Sequence, residues 1–158
     1  MVGSSKVNGA GFVNGQTSKF PDALSAAALV GSKGMPLILT NGRTLPKGTE
    51  EYKGNSKNYI VGGTNSINIY GLKGKRLAGD DRFATSAAVA TEGFKDAMQE
   101  YTSSTGNAKY NNCVVVDGTN YPDALTAISV AKKYNAPILL TNKNSIPSPI
   151  IRYIKTLY

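Results

Sequence analysis

The sequence predicts an α/β fold made of two tandem copies of one three-layer unit, each built around a parallel sheet. Three observations carry that expectation: a repeat at constant offset, short apolar runs each closed by an Asn-Gly or Asp-Gly step, and helical apolar spacing between those runs. At 158 residues the chain suits one domain or two small half-domains. Folding at that size buries about 70% of the surface of the extended chain, so a sizeable core is available.

The repeat is read directly from the residues. Pro21-Asp22-Ala23-Leu24 recurs 101 positions later as Pro122-Asp123-Ala124-Leu125, and Pro36-Leu37-Ile38-Leu39-Thr40-Asn41 recurs at the same offset as Pro137-Ile138-Leu139-Leu140-Thr141-Asn142. Pro46 with Pro147 and Tyr52 with Tyr153 keep that offset, so the register runs 32 residues without a gap. Upstream, Phe12-Val13-Asn14-Gly15 answers Val115-Val116-Asp117-Gly118 at an offset of 103, which places a loop two residues longer in the first copy.

Each copy contains an apolar run ending at a turn signal, Gly11 to Asn14 and Cys113 to Asp117, read as a buried strand. A helix follows, with Pro21 or Pro122 in a first turn that needs no backbone donor and Asp22 or Asp123 against its positive end. Leu24, Ala27 or Ala28, and Leu29 form its apolar face in the first copy; Leu125, Ile128 and Ala131 do so in the second. Met35 to Thr40 and Ala136 to Thr141 are second strands entered by a proline, and the register predicts the start of a further helix by Tyr52 and Tyr153. A third strand, Asn58 to Val61, ends in Gly62-Gly63. Arg76 to Ser86 then opens a helix whose apolar residues Phe83, Ala87, Ala90, Phe94 and Met98 recur at helical spacing. Strand, helix, strand in that order implies parallel pairing through right-handed crossovers. Residues 1–74 are expected to form a first copy lacking its leading helix, and residues 75–158 a second copy lacking its final strand.

Composition narrows the function. Eighteen Lys and Arg against ten Asp and Glu give +8, spread along the chain, which favours polyanions without choosing among them. No nucleic-acid partner is expected, because the basic residues are not interleaved with stacking aromatics. No run approaches the ~20 apolar residues of a membrane span, and an export signal for a secreted protein is expected outside this sequence. With no histidine and a single cysteine, Cys113, set in an apolar run, there is little equipment for nucleophilic catalysis or a metal site, and no cofactor is expected. Gly62-Gly63 and Gly71-Leu72-Lys73-Gly74-Lys75 lack the Gly-Lys-Ser/Thr ending of a phosphate loop.

Arg-Leu-Ala-Gly-Asp-Asp-Arg-Phe-Ala-Thr-Ser at 76–86 resembles the opening of the cell-wall-binding type 2 repeat. Tyr59-Ile60-Val61-Gly62-Gly63-Thr64, Tyr121-Pro122-Asp123-Ala124-Leu125 and Ala136-Pro137-Ile138-Leu139-Leu140-Thr141 resemble its later landmarks. The resemblance implies Rossmann-like or Toprim-like α/β modules, usually three in tandem, that hold proteins to the walls of Gram-positive bacteria through an anionic secondary wall polymer. It implies an extracellular, wall-bound, non-catalytic module whose partners are that anionic glycan and other repeat copies or a homo-oligomer, with no membrane partner.

Ligands of open parallel sheets lie beyond the carboxyl ends of the strands. The candidate contacts are therefore Thr40, Asn41 and Arg43 in copy one, Arg76, Asp81 and Arg82 between the copies, and Asn120, Thr141, Asn142 and Lys143 in copy two. Their amides, hydroxyls and cations suit sugar hydroxyls and acidic groups. Plainer readings stand beside these. Arg76, Asp81 and Arg82 equally suit a helix start tied to the neighbouring copy, and Asp22 and Asp123 sit in the first turn of a helix, where a structural charge is expected ahead of the paired carboxylates of a glycosidase. The alternative function is a structural or oligomerising module that binds no polymer.

Overall fold

The computed structural model describes residues 8–95, 112–119 and 121–157. Two parallel sheets share one central helix. In the first unit, β1 (Gly11–Asn14) leads through a 3-10 turn at Thr17–Lys19 into α1 (Phe20–Ser32), then β2 (Leu37–Thr40), a 3-10 turn at Glu50–Tyr52, β3 (Tyr59–Val61) and β4 (Lys75–Leu77). The strand order is β2-β1-β3-β4, all parallel. Next come α2 (Arg82–Gly93), β5 (Val114–Asp117), α3 (Tyr121–Lys133), β6 (Ile138–Thr141) and α4 (Ser148–Lys155), with β5 and β6 pairing in parallel.

The repeat is visible in bonds as well as boundaries. α1 and α3, and β2 and β6, begin and end 101 positions apart, while β1 and β5 differ by 103. Gly11 pairs with Leu37 where Val114 pairs with Ile138, so the two-residue insertion is absorbed in the β1–α1 loop without disturbing register. α1 stops where Gly34 takes φ +63°, and α3 stops where Asn135, its repeat partner, takes φ +48°. In both, an amide then reaches back to close the helix end, Met35 N–H to Val30 O and Ala136 N–H to Ala131 O, each at 2.9 Å.

Alternation along the strands divides the core. Val13, Val61 and Leu77 face α1 with Leu24 and Leu29, whereas Phe12, Ile38 and Ile60 face the opposite way, toward Ile67, Ile69 and Tyr52. In the second sheet Ile138 and Leu140 join the α1–α3 side, and Leu139 packs with Ala87, Ala90, Ile150 and Tyr153 of α2 and α4. The second sheet thus has helices on both faces. The first has α1 on one face and the segment after β3 on the other.

Two expectations change. The 76–86 segment begins as strand: Lys75–Leu77 pairs with β3, and the helix starts only after Asp81, whose carboxylate accepts from Ala84 N–H at 2.7 Å. A run of Lys-Arg-Leu has too little apolar pattern to announce an edge strand. The further helix is α4 in the second copy but a single 3-10 turn at Glu50–Tyr52 in the first. There Gly48 and Gly54 flank a charged stretch, whereas Ile150, Tyr153 and Ile154 give α4 a stripe to bury. Met98 lies outside the described residues.

Candidate functional site

A groove of about 410 Å³ opens beyond the carboxyl ends of β1, β3 and β4. One wall is the start of α1, with Ser18, Lys19, Pro21 and Asp22; the second is the turn after β3, Gly63 to Ser66; the third is the start of α2, Gly79 to Arg82 and Thr85. Its lining is hydroxyl, amide and charge without an aromatic ring, and it sets Lys19 and Arg82 against Asp22, Asp80 and Asp81.

The turn after β3 is held rigidly. Arg76 sends Nη1 to Gly62 O at 2.7 Å and to Ile67 O at 3.0 Å, and its burial lowers the guanidinium pKa. Asn14 Nδ2 donates to Ser66 O at 2.8 Å, Ser66 N–H bonds Gly63 O at 2.9 Å, and Arg43 reaches Thr64 O and Asn65 O at 3.4 and 3.2 Å. Gly62 takes φ +112°, and a Cβ there would fall 2.9 Å from Asp22 Oδ2 and 3.5 Å from Ser66 Oγ. Glycine is therefore required for the Asp22 carboxylate to occupy this floor.

Two polar groups on that floor stand out. Ser66 is 8% exposed and its Oγ has no hydrogen-bond partner among the described residues, an arrangement that costs about 1–3 kcal/mol. The half-buried Asp22 carboxyl has its pKa raised by burial, while the nearby charges of Lys19 and Arg82 pull it down.

The candidate contacts divide by what they touch. Asp81 caps α2, and Arg82 lines the groove while its Nη1 donates to Gly118 O at 3.0 Å, joining the two units. The Thr40 hydroxyl donates to Val13 O at 3.1 Å and Thr141 to Val116 O at 3.3 Å, so both buried hydroxyls brace neighbouring strands. Asn41 Oδ1 accepts from the amides of Arg43 and Thr44, and Asn142 Nδ2 donates to Ser145 Oγ at 3.2 Å. Exposed Lys143 lies near Asp117, whose pKa is lowered first by the Thr119 hydroxyl and then by the Thr119 amide, with Lys143 adding a smaller pull. Asn120 lies outside the described residues, as does the side chain of Asp123. The structure brings Asp81 and Arg82 together at the groove, sets Arg76 and Arg43 behind its wall, and leaves Asn142 and Lys143 at the ends of the second sheet.

Asp22, Thr64, Asn65, Ser66 and Asp80 were not among the contacts read from the sequence. The available signal was the Gly62-Gly63 step after a strand, which marks both a turn and room for a neighbour.

The sequence profile of Cell wall binding domain 2 (CWB2) matches residues 3–69 and 76–156. The chain belongs to this CWB2 family. It is a cell-wall-binding chain of the bacterial surface, and no helix among its described residues is long and apolar enough to cross a membrane. It is 36% identical over 149 residues to the N-acetylmuramoyl-L-alanine amidase LytC of Bacillus subtilis (strain 168), covering 87% of this chain and 27% of that protein. Among solved structures, Cwp8 from Clostridium difficile aligns with a TM-score of 0.69 and 26% identity over 94% of this chain, and Cwp6 with 0.68 and 23% over 95%. The chain spans 25% and 24% of those two proteins, so it corresponds to a part of each.

Proposed function

We propose that the CWB2 chain anchors a surface protein noncovalently by holding an anionic secondary wall polysaccharide in the groove beyond β1, β3 and β4, without breaking bonds in it. The observation that carries this reading is the convergence of three strand ends and two helix starts on one polar groove. Lys19 and Arg82 meet acidic groups of the polymer there, and hydroxyl and amide side chains meet its sugars. Arg43, Arg76 and Thr40 act behind the wall as positioning residues. Asn142 and Lys143 extend the contact along the second sheet.

Purified chain is expected to be retained on isolated walls and lost from walls whose secondary polymer has been removed by mild acid. Undiminished binding to stripped walls would overturn the polymer reading. Retention should weaken with added salt, since the screening length shrinks from about 30 Å at 0.01 M to about 3 Å at 1 M.

A second reading, association with other repeat copies, is favoured by one contrast. Leu24 and Leu29 of α1 are 3% and 0% exposed, and Leu29 rests against Gly93 of α2, but their repeat partners Leu125 and Val130 on α3 are 43% and 46% exposed. We expect α3 to be covered by a further copy in solution, and Leu125→Asp with Val130→Asp to abolish that association. A stable monomer by light scattering at micromolar concentration rules this reading out.

A further inference from the structure

The floor of the groove holds two groups that the fold does not use. Asp22 has no hydrogen-bond or ion-pair partner among the described residues, although Lys19 and Arg82 stand near it. Ser66 is nine-tenths buried and its hydroxyl has no partner among the described residues, although its own backbone is pinned on both sides by Gly63 and Asn14. The Ser66 backbone is held in place beside Ile67, which is fully buried. Gly62 keeps the space between carboxylate and hydroxyl free of a side chain. A carboxylate only accepts hydrogen bonds, and a serine hydroxyl both donates and accepts.

We propose that Asp22 and Ser66 form a sugar-ring subsite in the groove, in which Asp22 accepts hydrogen bonds from vicinal hydroxyls of the wall polymer and Ser66 pairs with one of the same hydroxyls. This rests on the reading of the groove as the polymer site. It assigns the acidic groups of the polymer to Lys19 and Arg82, and recognition of the neutral ring to the two residues beneath them. It also sets the sign of one substitution. If binding were only attraction between a cationic chain and a polyanion, Asp22→Asn would remove a repelling charge and tighten it. As an acceptor of hydroxyls, Asp22 makes the opposite prediction.

The test measures binding of polymer released from walls, intact and after periodate oxidation with borohydride reduction, which cleaves vicinal diols and leaves phosphate or carboxylate in place. The wild-type chain should bind intact polymer about tenfold more tightly than oxidised polymer. Asp22→Asn should bind both equally, at the weaker level. Ser66→Ala should also bind intact polymer more weakly, while its melting temperature stays level or rises, because the variant removes an unpaired hydroxyl. Tighter binding by Asp22→Asn, or a wild-type chain indifferent to oxidation, would overturn the subsite while leaving wall binding in place. A preference lost on N-acetylation of the polymer instead would assign Asp22 to an ammonium group and overturn the hydroxyl assignment. Failure of the wild-type chain to bind any released polymer would overturn the groove reading itself.

Discussion

Phe12→Ala is expected to lower unfolding free energy by about 3–5 kcal/mol, a large share of the 5–15 kcal/mol typical of a domain. Phe12 is 0% exposed on the face of β1 away from α1. It packs with Ile38, Ile60, Ile67 and Ile69, and its ring meets that of Tyr52 edge-on at 6.5 Å. Deletion removes the transfer energy of the ring, leaves a cavity, and loses an aromatic pair contributing about 0.5–1.5 kcal/mol. Ile67 follows the groove-lining Ser66, so the loss should reach wall binding as well as stability. Val115 is the repeat partner of Phe12 on β5 but is 54% exposed, and Val115→Ala should shift stability by no more than about 0.5 kcal/mol. Denaturant unfolding of the two variants measures the contrast; a cost for Val115→Ala well above about 0.5 kcal/mol would mean that β5 is covered in solution as β1 is.

That contrast shows what the sequence carried. β1, β2, β3, β5 and β6, with α1 and α3, were legible because each is a local pattern: an apolar run closed by a turn, or apolar residues at helical spacing after a proline. The repeat fixed their equivalence, and the 101 and 103 offsets reappear in helix ends and strand register. Repetition of sequence did not fix repetition of environment. Leu24 and Leu125 share a pattern but differ in burial, because α2 covers one helix and no described element covers the other in the same way. The groove was less legible still. Asp22 carries the local signature of a helix-start charge, and that signature is silent about Ser66, 44 positions on, which the fold brings to the same floor. Arg76 and Arg82 looked alike in sequence, six residues apart around a helix start, and only tertiary contacts separate them.

Their separation gives the second large effect. Arg76→Ala is expected to cost roughly 2–3 kcal/mol of stability and most wall retention, because one guanidinium holds the carbonyls of both Gly62 and Ile67. Those bonds bridge the two ends of the turn that forms the groove's second wall. Arg76→Lys keeps the charge but lacks the planar fork, so it should recover only part of the stability. Arg82 differs in kind, since it is exposed, lines the groove directly, and makes one bond across to Gly118 O. Arg82→Ala should therefore reduce retention about tenfold while costing roughly 1 kcal/mol or less in stability. Wall-retention assays paired with chemical unfolding on the three variants place each arginine on one of two axes. Stability and retention falling together mark a residue that builds the wall of the groove; retention falling alone marks one that touches what the groove holds. If Arg76→Ala loses retention at unchanged stability, it contacts the polymer itself and the loop-bracing role assigned to it is wrong.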